Sequence, residues 1–487
     1  MTCIRDPKGI LKRELARLYD DFKLPGDFPP GVLKNANDAA SRHPDAQSHK
    51  DRTTLPFATL DPASSTDLDQ AFHIERSGTD IILHYAIADV PWFVDYDSPM
   101  AQEAWRRGET IYLPGDRMSL YPEIISQGVA SLLPDGPRPA VMFTIRVDPD
   151  GISRLDGVER SLIRSRAKLA YETATETDLP DAFAELARRI EAAERDRGAA
   201  RIDTPEQELE ETEDGRLRLS FRKRHRTEDQ NAALSLAANL AVAQFLLEHR
   251  TGLFRVMDEP DAKAVARLRV QAAALDVNWP ASEPLKALER RLDPDRPDDT
   301  AMMLAIRRAG HGASYAPYSA DKRPWHAAVA ATYAHATAPL RRLADRYVIE
   351  AALALANGRS VPRQASDAFS ELPSVMARAG SLAGRTDAAV LDLAEAVMLR
   401  GREGELFNAL VIDADDKGRV TAQLAKLPVV VRVNGNVGEL HDAKFGEHVR
   451  LRLDRIDLPG RKVQFSPVQN HMATKAAQAA SPSTDAP

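Results

Sequence analysis

The spacing of hydrophobic and polar residues changes several times along the chain. Between Ile10 and Phe22, leucines 11, 15 and 18 recur at helical spacing, and prolines 25, 29 and 30 end this pattern. The polar stretch 35–52 that follows predicts an exposed linker. Residues 53–150 then favour β-structure, because runs at 81–88 and 141–147 are rich in β-branched and aromatic residues.

The second half of the chain is first helical and then strand-like. Residues 183–198 have a helical period, and 206–226 predict a hairpin with an acidic and a basic arm around Asp214-Gly215. The Ala/Leu-rich part predicts long helices at 228–248, 261–275, 337–356 and 387–399. Short strands with barrel-like spacing follow at 420–424, 429–433, 449–453 and 462–465.

These patterns together predict an α+β protein with four parts. A short helical lead and linker cover 1–52, a large domain covers 53–400, and a small β-barrel covers 403–468. The tail at 469–487 is rich in Ala, Ser and Pro and lacks aromatic residues, so we expect it to be disordered.

Composition excludes several classes of protein. The 487 residues are 43% hydrophobic and 28% charged, which is ordinary for a globular chain. A single cysteine excludes an intramolecular disulfide framework and cysteine-rich zinc modules. The net charge of −7 excludes a uniformly basic nucleic-acid binder but is compatible with a local basic groove. The most apolar stretch, 232–247, is interrupted by polar residues and is too short to span a bilayer, so we expect a cytoplasmic protein with no membrane partner.

The loop 59–72 contains a cluster of carboxylates. Asp61, Asp67 and Asp69 lie within nine residues, and carboxylates this close repel each other unless a cation or backbone N–H groups compensate them. An all-oxygen set of this kind favours magnesium or manganese. The alternatives are a solvated loop or a helix cap. A calcium loop is excluded, because Thr66 and Phe72 occupy the positions of its central glycine and closing glutamate.

A proline–arginine segment at 332–348 is the second candidate for chemistry. Pro339 suits the first turn of a helix, which predicts Arg341 and Arg342 beside N–H groups able to bind phosphate. A guanidinium there would bind a phosphodiester through two hydrogen bonds. The alternative is a helical ion pair between Arg341 and Asp345, which are four residues apart.

The two segments together resemble the ribonuclease II / ribonuclease R family. Its catalytic RNB domain contains a motif D-x5-D-x-D-D, matched here by Asp61, Asp67, Asp69 and Gln70. A later motif, Y-x-H-x-T-S-P-x-R-R-x-x-D, resembles residues 333–345, and the segments 111–115 and 168–171 are also similar to family segments. The resemblance spans 53–400, and the barrel at 403–468 resembles the family's C-terminal RNA-binding domain of OB type.

The resemblance implies a fold and a reaction. The fold would be a mixed sheet surrounded by helices, followed by the OB barrel. The reaction would be hydrolytic 3′→5′ degradation of RNA to nucleoside 5′-monophosphates by a monomer, with Mg²⁺ or Mn²⁺ as cofactor. Asp61, Asp67, Asp69 and Gln70 would hold the metal, and Arg341 would stabilise the transition state. Tyr112, Tyr171, Thr337 and Arg342 would contact RNA, with Tyr112 stacking on a base; a core tyrosine is the alternative for Tyr112.

The sequence also departs from the family pattern. Gln70 replaces the fourth aspartate, Ala338 replaces a serine, and residues 231–233 lack the acidic residues expected in relatives. About 50 residues precede the first motif, which leaves no room for the two N-terminal cold-shock barrels common in the family. We therefore expect an open groove that accepts single-stranded RNA and 3′-tailed structured RNA. The alternative function is an RNA-binding protein with a weakened or inactive nuclease site.

Overall fold

The fold was derived from a computed structural model that describes residues 2–3, 9–199, 207–211, 217–222, 224–293, 296–310, 312–414, 420–433 and 447–468. The strands are β1 (Thr2–Cys3), β2 (Lys50–Asp51), β3 (Phe57–Asp61), β4 (Gln70–Ser77), β5 (Asp80–Ala88), β6 (Ile111–Leu113), β7 (Asp116–Met118), β8 (Arg138–Val147), β9 (Ser153–Ile163), β10 (Ser165–Ala170), β11 (Gln207–Glu211), β12 (Leu217–Phe221), β13 (Leu253–Val256), β14 (Ser314–Pro317), β15 (Leu406–Ala414), β16 (Val420–Leu424), β17 (Val430–Val433), β18 (His448–Asp457) and β19 (Lys462–Pro467). The helices are α1 (Ile10–Phe22), α2 (Pro30–Ala40), α3 (Val90–Phe93), α4 (Pro99–Arg107), α5 (Phe183–Asp196), α6 (Arg226–Glu248), α7 (Ala262–Ala274), α8 (Leu285–Arg291), α9 (Pro297–Ala309), α10 (Leu343–Ala356) and α11 (Arg363–Leu399).

A seven-stranded mixed sheet forms the centre of the large domain. Its strand order is β10-β3-β4-β5-β8-β9-β2, with parallel pairing at β10/β3 and β2/β9 and antiparallel pairing between the other neighbours. The middle strand β5 buries almost every residue, which agrees with the continuous apolar run at 81–88. The predicted α+β class and mixed sheet are confirmed.

Helix α6 packs across this sheet and is a core element. It contacts β3, β8 and β9 of the sheet as well as helices α5 and α10. By length and composition alone its 23 residues could cross a membrane, but 67% of its most apolar window is buried inside the protein. The apolar character of α6 is therefore explained by packing within the domain.

The C-terminal strands form a five-stranded barrel of OB type. The order is β17-β16-β15-β18-β19, and β17 also contacts β19, so the sheet nearly closes on itself. Alternate residues of β16, Val420, Ala422 and Leu424, point into a small core that Leu399 at the end of α11 also enters. The barrel strands predicted from the sequence are confirmed.

Several sequence-based expectations for the rest of the chain need correction. The exposed linker predicted at 35–52 is wrong in part, because α2 extends to Ala40 with its apolar face buried, and β2 pairs with β9. The helix predicted at 387–399 is the end of the 37-residue α11, which accommodates Pro373. The helix α1 and the hairpin β11–β12 agree with the predictions, whereas the tail at 469–487 lies outside the described residues.

Candidate active site

The aspartate loop lies at one edge of the mixed sheet. Strands β3 and β10 are parallel, so their carboxyl ends meet at the same edge, and Asp61 pairs in register with Ala170. The backbone N–H of Tyr171, the next residue, donates to the carbonyl oxygen of Asp61 at 3.1 Å. The chain then runs through residues 62–69 and returns as β4, which begins at Gln70. This topology brings the aspartates and Tyr171 together.

Asp69 is the most deeply placed carboxylate of the loop, with a relative exposure of 3%. It accepts a hydrogen bond from the backbone N–H of Leu340 at 2.7 Å and another from Nε of Arg341 at 3.2 Å. Burial raises the pKa of Asp69 to about 7, although Arg341 and the Leu340 N–H act in the opposite direction. The two motifs recognised in the sequence therefore meet at this carboxylate.

The negative charge of Asp61 is compensated less directly than that of Asp69. Burial raises its pKa to about 6, the charge of Asp67 adds to this effect, and the cations of Arg341 and Lys168 oppose it. No residue that the structure describes donates a hydrogen bond to its carboxylate. A partly buried carboxylate without a hydrogen-bond donor is the kind of group that a bound cation stabilises.

Asp67 is held from the rim of the site by the hairpin β6–β7. Nη1 of Arg117 donates to Oδ1 of Asp67 at 2.7 Å, and the hydroxyl of Tyr112 donates to Oδ2 at 3.0 Å. Sequence reasoning missed Arg117. The Pro114-Gly115 turn could have indicated it, because a tight turn there places residues 112 and 117 opposite each other.

Gln70 is hydrogen-bonded to residues of the sheet and of α6. Its Oε1 accepts hydrogen bonds from the hydroxyl of Tyr85 and, at 2.9 Å, from the hydroxyl of Ser235. Because a carbonyl oxygen has two lone pairs, these two donors occupy its acceptor capacity. In this arrangement the oxygen that was expected to bind metal is already used, and the three aspartates provide the available donors.

The proline–arginine segment differs from its predicted geometry. Helix α10 begins at Leu343, so Pro339 lies in a turn before the helix and not in its first turn, and the helix predicted from 337 is shorter. In this turn the N–H of Arg342 donates to the carbonyl oxygen of Ala338 at 2.9 Å. The alternative ion pair between Arg341 and Asp345 is also wrong, because Arg342 occupies Asp345.

Two of the residues predicted to bind RNA make contacts within the protein. Nε and Nη2 of Arg342 donate to the two oxygens of Asp345 at 3.0 and 2.6 Å. Thr337 is 3% exposed, its N–H donates to Asp345 at 3.0 Å, and its hydroxyl accepts from Asn239 at 3.4 Å. These contacts fix the turn that presents Leu340 and Arg341 to Asp69.

The two tyrosines predicted to contact RNA lie at different depths. Tyr112 is 48% exposed, which excludes the alternative of a core tyrosine, and it borders a cleft of about 630 Å³. The cleft is lined by β11, α9, α11 and the barrel. Tyr171 is partly buried, and its hydroxyl accepts from Nδ2 of Asn231 at 3.1 Å. Sequence reasoning treated Asn231 only as a missing acid, whereas it also donates to the carbonyl oxygen of Leu60 at 3.1 Å.

The carboxylate oxygens of the three aspartates fit a hard divalent cation. In the structure, however, two of these carboxylates are hydrogen-bonded to arginines. Among the residues that the structure describes, no three His, Cys, Asp or Glu side chains form a ready metal-binding group. Asp69 is turned to Arg341 and Asp67 to Arg117, whereas Asp61 has no hydrogen-bond donor within the described part of the chain. Three carboxylates on one short loop provide the oxygen ligands that magnesium and manganese prefer.

Comparisons with known proteins agree with this architecture. Residues 49–355 match the RNB domain, and residues 405–468 match the RNase II-type exonuclease C-terminal S1 domain. The chain is 28% identical to Ribonuclease R of Thermotoga maritima over 80% of its own length, and 27% identical to Ribonuclease R of Escherichia coli over 61%. It spans 59% and 39% of the lengths of these two relatives.

A solved structure shows the same fold. The structure of Mycoplasma genitalium RNase R in complex with ribose-methylated single-stranded RNA superposes with a TM-score of 0.83 at 19% identity, covering 94% of this chain and 78% of that one. Because the RNB match covers more than half of the chain, the protein belongs to the RNB-domain family.

Proposed function

We propose that this protein is a hydrolytic 3′→5′ exoribonuclease that uses a divalent metal and releases nucleoside 5′-monophosphates. The observation that carries the proposal is the meeting of three distant segments at one site. The hairpin β6–β7 contacts the aspartate loop at Asp67 through Tyr112, and the turn before α10 contacts it two residues further on, at Asp69, through Leu340 and Arg341. Membership of the RNB family and the named ribonuclease R relatives support the same reaction.

Asp61, Asp67 and Asp69 would hold magnesium or manganese. When bound, such a metal lowers the pKa of a water molecule and neutralises charge on the scissile phosphate. The protein's own groups complete the site. The Leu340 N–H positions Asp69, and the partner of Asp69, Arg341, extends toward solvent with 42% of its side chain exposed.

Arg341 is suited to stabilise charge on the phosphate. Only its Nε is used by Asp69, and among the described residues neither of its Nη groups has a hydrogen-bond partner. The two Nη groups form one edge of the planar guanidinium, and this edge can bind two phosphate oxygens at once. Because negative charge on these oxygens grows in the transition state, this interaction would lower the barrier and not merely bind substrate.

RNA would approach through the cleft beside Tyr112. Base stacking on an exposed aromatic ring tolerates every base, which suits an enzyme that removes nucleotides one after another. We propose single-stranded RNA, including the 3′ tail of a structured RNA, as the substrate. The barrel of OB type, matched to the RNase II-type S1 domain, would bind the strand further from the site.

The test is a cleavage assay on 5′-labelled single-stranded RNA with magnesium. A ladder that shortens from the 3′ end, together with nucleoside 5′-monophosphates on thin-layer chromatography, is expected. The Asp69→Asn variant serves as the control for contaminating nucleases. RNA binding by the wild type without cleavage at any Mg²⁺ or Mn²⁺ concentration would favour the alternative, an RNA-binding protein with an inactive site.

A further inference from the structure

The hairpin β6–β7 presents two different faces to the protein. Tyr112 and Arg117 are directly opposite each other in its register, so their side chains share one face. The neighbouring pair, Ile111 and Met118, is buried on the other side and packs with Leu24, just after helix α1. One face is therefore anchored in an apolar cluster, and the other faces the aspartate loop.

Both residues of the first face contact one carboxylate. Arg117 donates to Oδ1 of Asp67 at 2.7 Å and Tyr112 donates to Oδ2 at 3.0 Å. A carboxylate has about four lone-pair positions, so each oxygen of Asp67 keeps one for a metal ion. The contacts fix the orientation of the carboxylate without using up its capacity to bind a cation.

Arg117 also contacts the side chain next to Asp67 in the loop, whose backbone is held by Ser131. Its Nη2 donates to the hydroxyl of Thr66 at 2.8 Å and to Oε1 of Gln127 at 3.1 Å. On the other side of Asp67, the N–H of Leu68 donates to the hydroxyl of Ser131 at 2.9 Å. The residues before and after Asp67 are thus both bound to the segment 127–131, and Asp67 projects from between them.

We propose that Arg117 is a positioning residue that orients Asp67 as a metal ligand and holds Tyr112 in a fixed place relative to the metal. The inference rests on the proposed nuclease function. Hydrogen-bonding partners of metal ligands determine ligand orientation, and their loss commonly costs 10- to 100-fold in metal affinity. Arg117 has the fork needed to bind the carboxylate and the loop at the same time, which lysine lacks.

The test is a titration of Mn²⁺ into the RNA-free protein, followed by electron paramagnetic resonance. Arg117→Met is expected to weaken Mn²⁺ binding by about 10-fold or more. Arg117→Lys keeps the charge but not the fork, so its affinity should remain clearly below that of the wild type. Arg146→Met is the matched control, because Arg146 is likewise an ion-paired arginine of the large domain, bound to Asp80 and Asp156, but lies outside the site.

Turnover provides a second readout. Arg117→Met should lower kcat by about the same factor as the metal affinity at limiting Mn²⁺, with a much smaller change in KM, because the cleft and the barrel are intact. Thr66→Val, which removes one anchor of Arg117 with little change in volume, should shift Mn²⁺ affinity in the same direction by less. It keeps the inference testable if Arg117→Met does not fold.

Two results would overturn the inference. Unchanged or tighter Mn²⁺ binding in Arg117→Met would show that the guanidinium only compensates charge. A lower melting temperature with wild-type Mn²⁺ affinity would show a purely structural role. Failure of the wild type to bind Mn²⁺ or to cleave RNA is a separate outcome, since it would contradict the proposed function itself.

Discussion

Asp69 and Asp67 are two residues apart in the chain but are held in opposite ways. Asp69 is nearly inaccessible and is fixed by a backbone N–H from Leu340, 271 residues away in sequence. Asp67 is held at the rim by side chains alone, from Arg117 and Tyr112. The first contact comes from a peptide group in a packed turn, whereas the second depends on the side chains of a two-stranded hairpin, a unit that needs packing against other elements to be stable.

This difference separates an inner from an outer part of the site. The inner part, with Asp69 and the turn before α10, is fixed by the core of the domain. The outer part is where a nucleotide would arrive, since Tyr112 both contacts Asp67 and borders the cleft. We therefore expect substitutions in the inner part to affect chemistry and those in the outer part to affect metal binding, with RNA binding weakened only when the ring of Tyr112 is lost.

The largest effect is expected at the inner carboxylate. Asp69→Asn keeps the size of the side chain and an acceptor for the Leu340 N–H, but removes the charge that a metal requires. RNA cleavage should be lost while RNA affinity, measured by fluorescence anisotropy, stays nearly unchanged, because the barrel and the cleft are not altered. Cleavage at close to the wild-type rate would contradict the assignment of Asp69 as a metal ligand.

Arg341→Lys tests the second member of the inner part. Loss of the planar fork should lower turnover by about 100-fold with little change in RNA affinity, if Arg341 acts on the transition state. A role limited to its half-exposed ion pair with Asp69 would instead cost at most about 1 kcal/mol of stability and leave turnover intact. Measuring kcat and the melting temperature on the same variant distinguishes these outcomes.

The change of stability with pH should differ between the metal-free protein and the protein in Mg²⁺. Burial raises the pKa of Asp61 to about 6 and that of Asp69 to about 7, above the ordinary aspartate value. At these two carboxylates the metal-free folded state therefore binds more protons than the unfolded state between about pH 4 and 7, so their contribution to stability should fall as pH rises through this window. Metal binding needs the ionised carboxylates, so Mg²⁺ should raise the melting temperature more at pH 8 than at pH 5.5. Equal shifts at both pH values would argue against metal binding at these carboxylates.

The sequence predicted the inner part better than the outer part, for a physical reason. The aspartates, the arginine and the alternating strands are local patterns, whereas the parallel pairing of β3 with β10 joins distant segments and was not predicted. The contact between Arg117 and Asp67 depends on a hairpin 50 residues away, which spacing alone does not reveal. The start of α10 was misplaced because Pro339 is compatible with a first helical turn as well as with the turn it forms.

Gln70→Asp is expected to have a moderate effect. An aspartate here would restore the fourth carboxylate of the family motif and would replace the amide oxygen that now accepts from the hydroxyls of Tyr85 and Ser235. The added charge should lower the Mg²⁺ concentration needed for half-maximal activity. The Ser235→Ala variant, which removes one of the two hydrogen bonds to the Gln70 oxygen, should be measured in the same assay. An unchanged or higher Mg²⁺ requirement in Gln70→Asp would count against residue 70 lying next to the metal.

The smallest effect is expected from Tyr112→Phe, which separates the two roles of this tyrosine. Phenylalanine keeps the ring for base stacking and loses only the hydrogen bond to Asp67, worth about 0.5–1.5 kcal/mol. Mn²⁺ affinity should fall slightly, because Arg117 still holds the other oxygen, and KM for RNA should not change. Tyr112→Ala removes the ring as well and should weaken RNA binding by about 1–3 kcal/mol. If Tyr112→Phe raises KM as much as Tyr112→Ala does, the hydroxyl and not the ring is what RNA needs, and stacking is not its role.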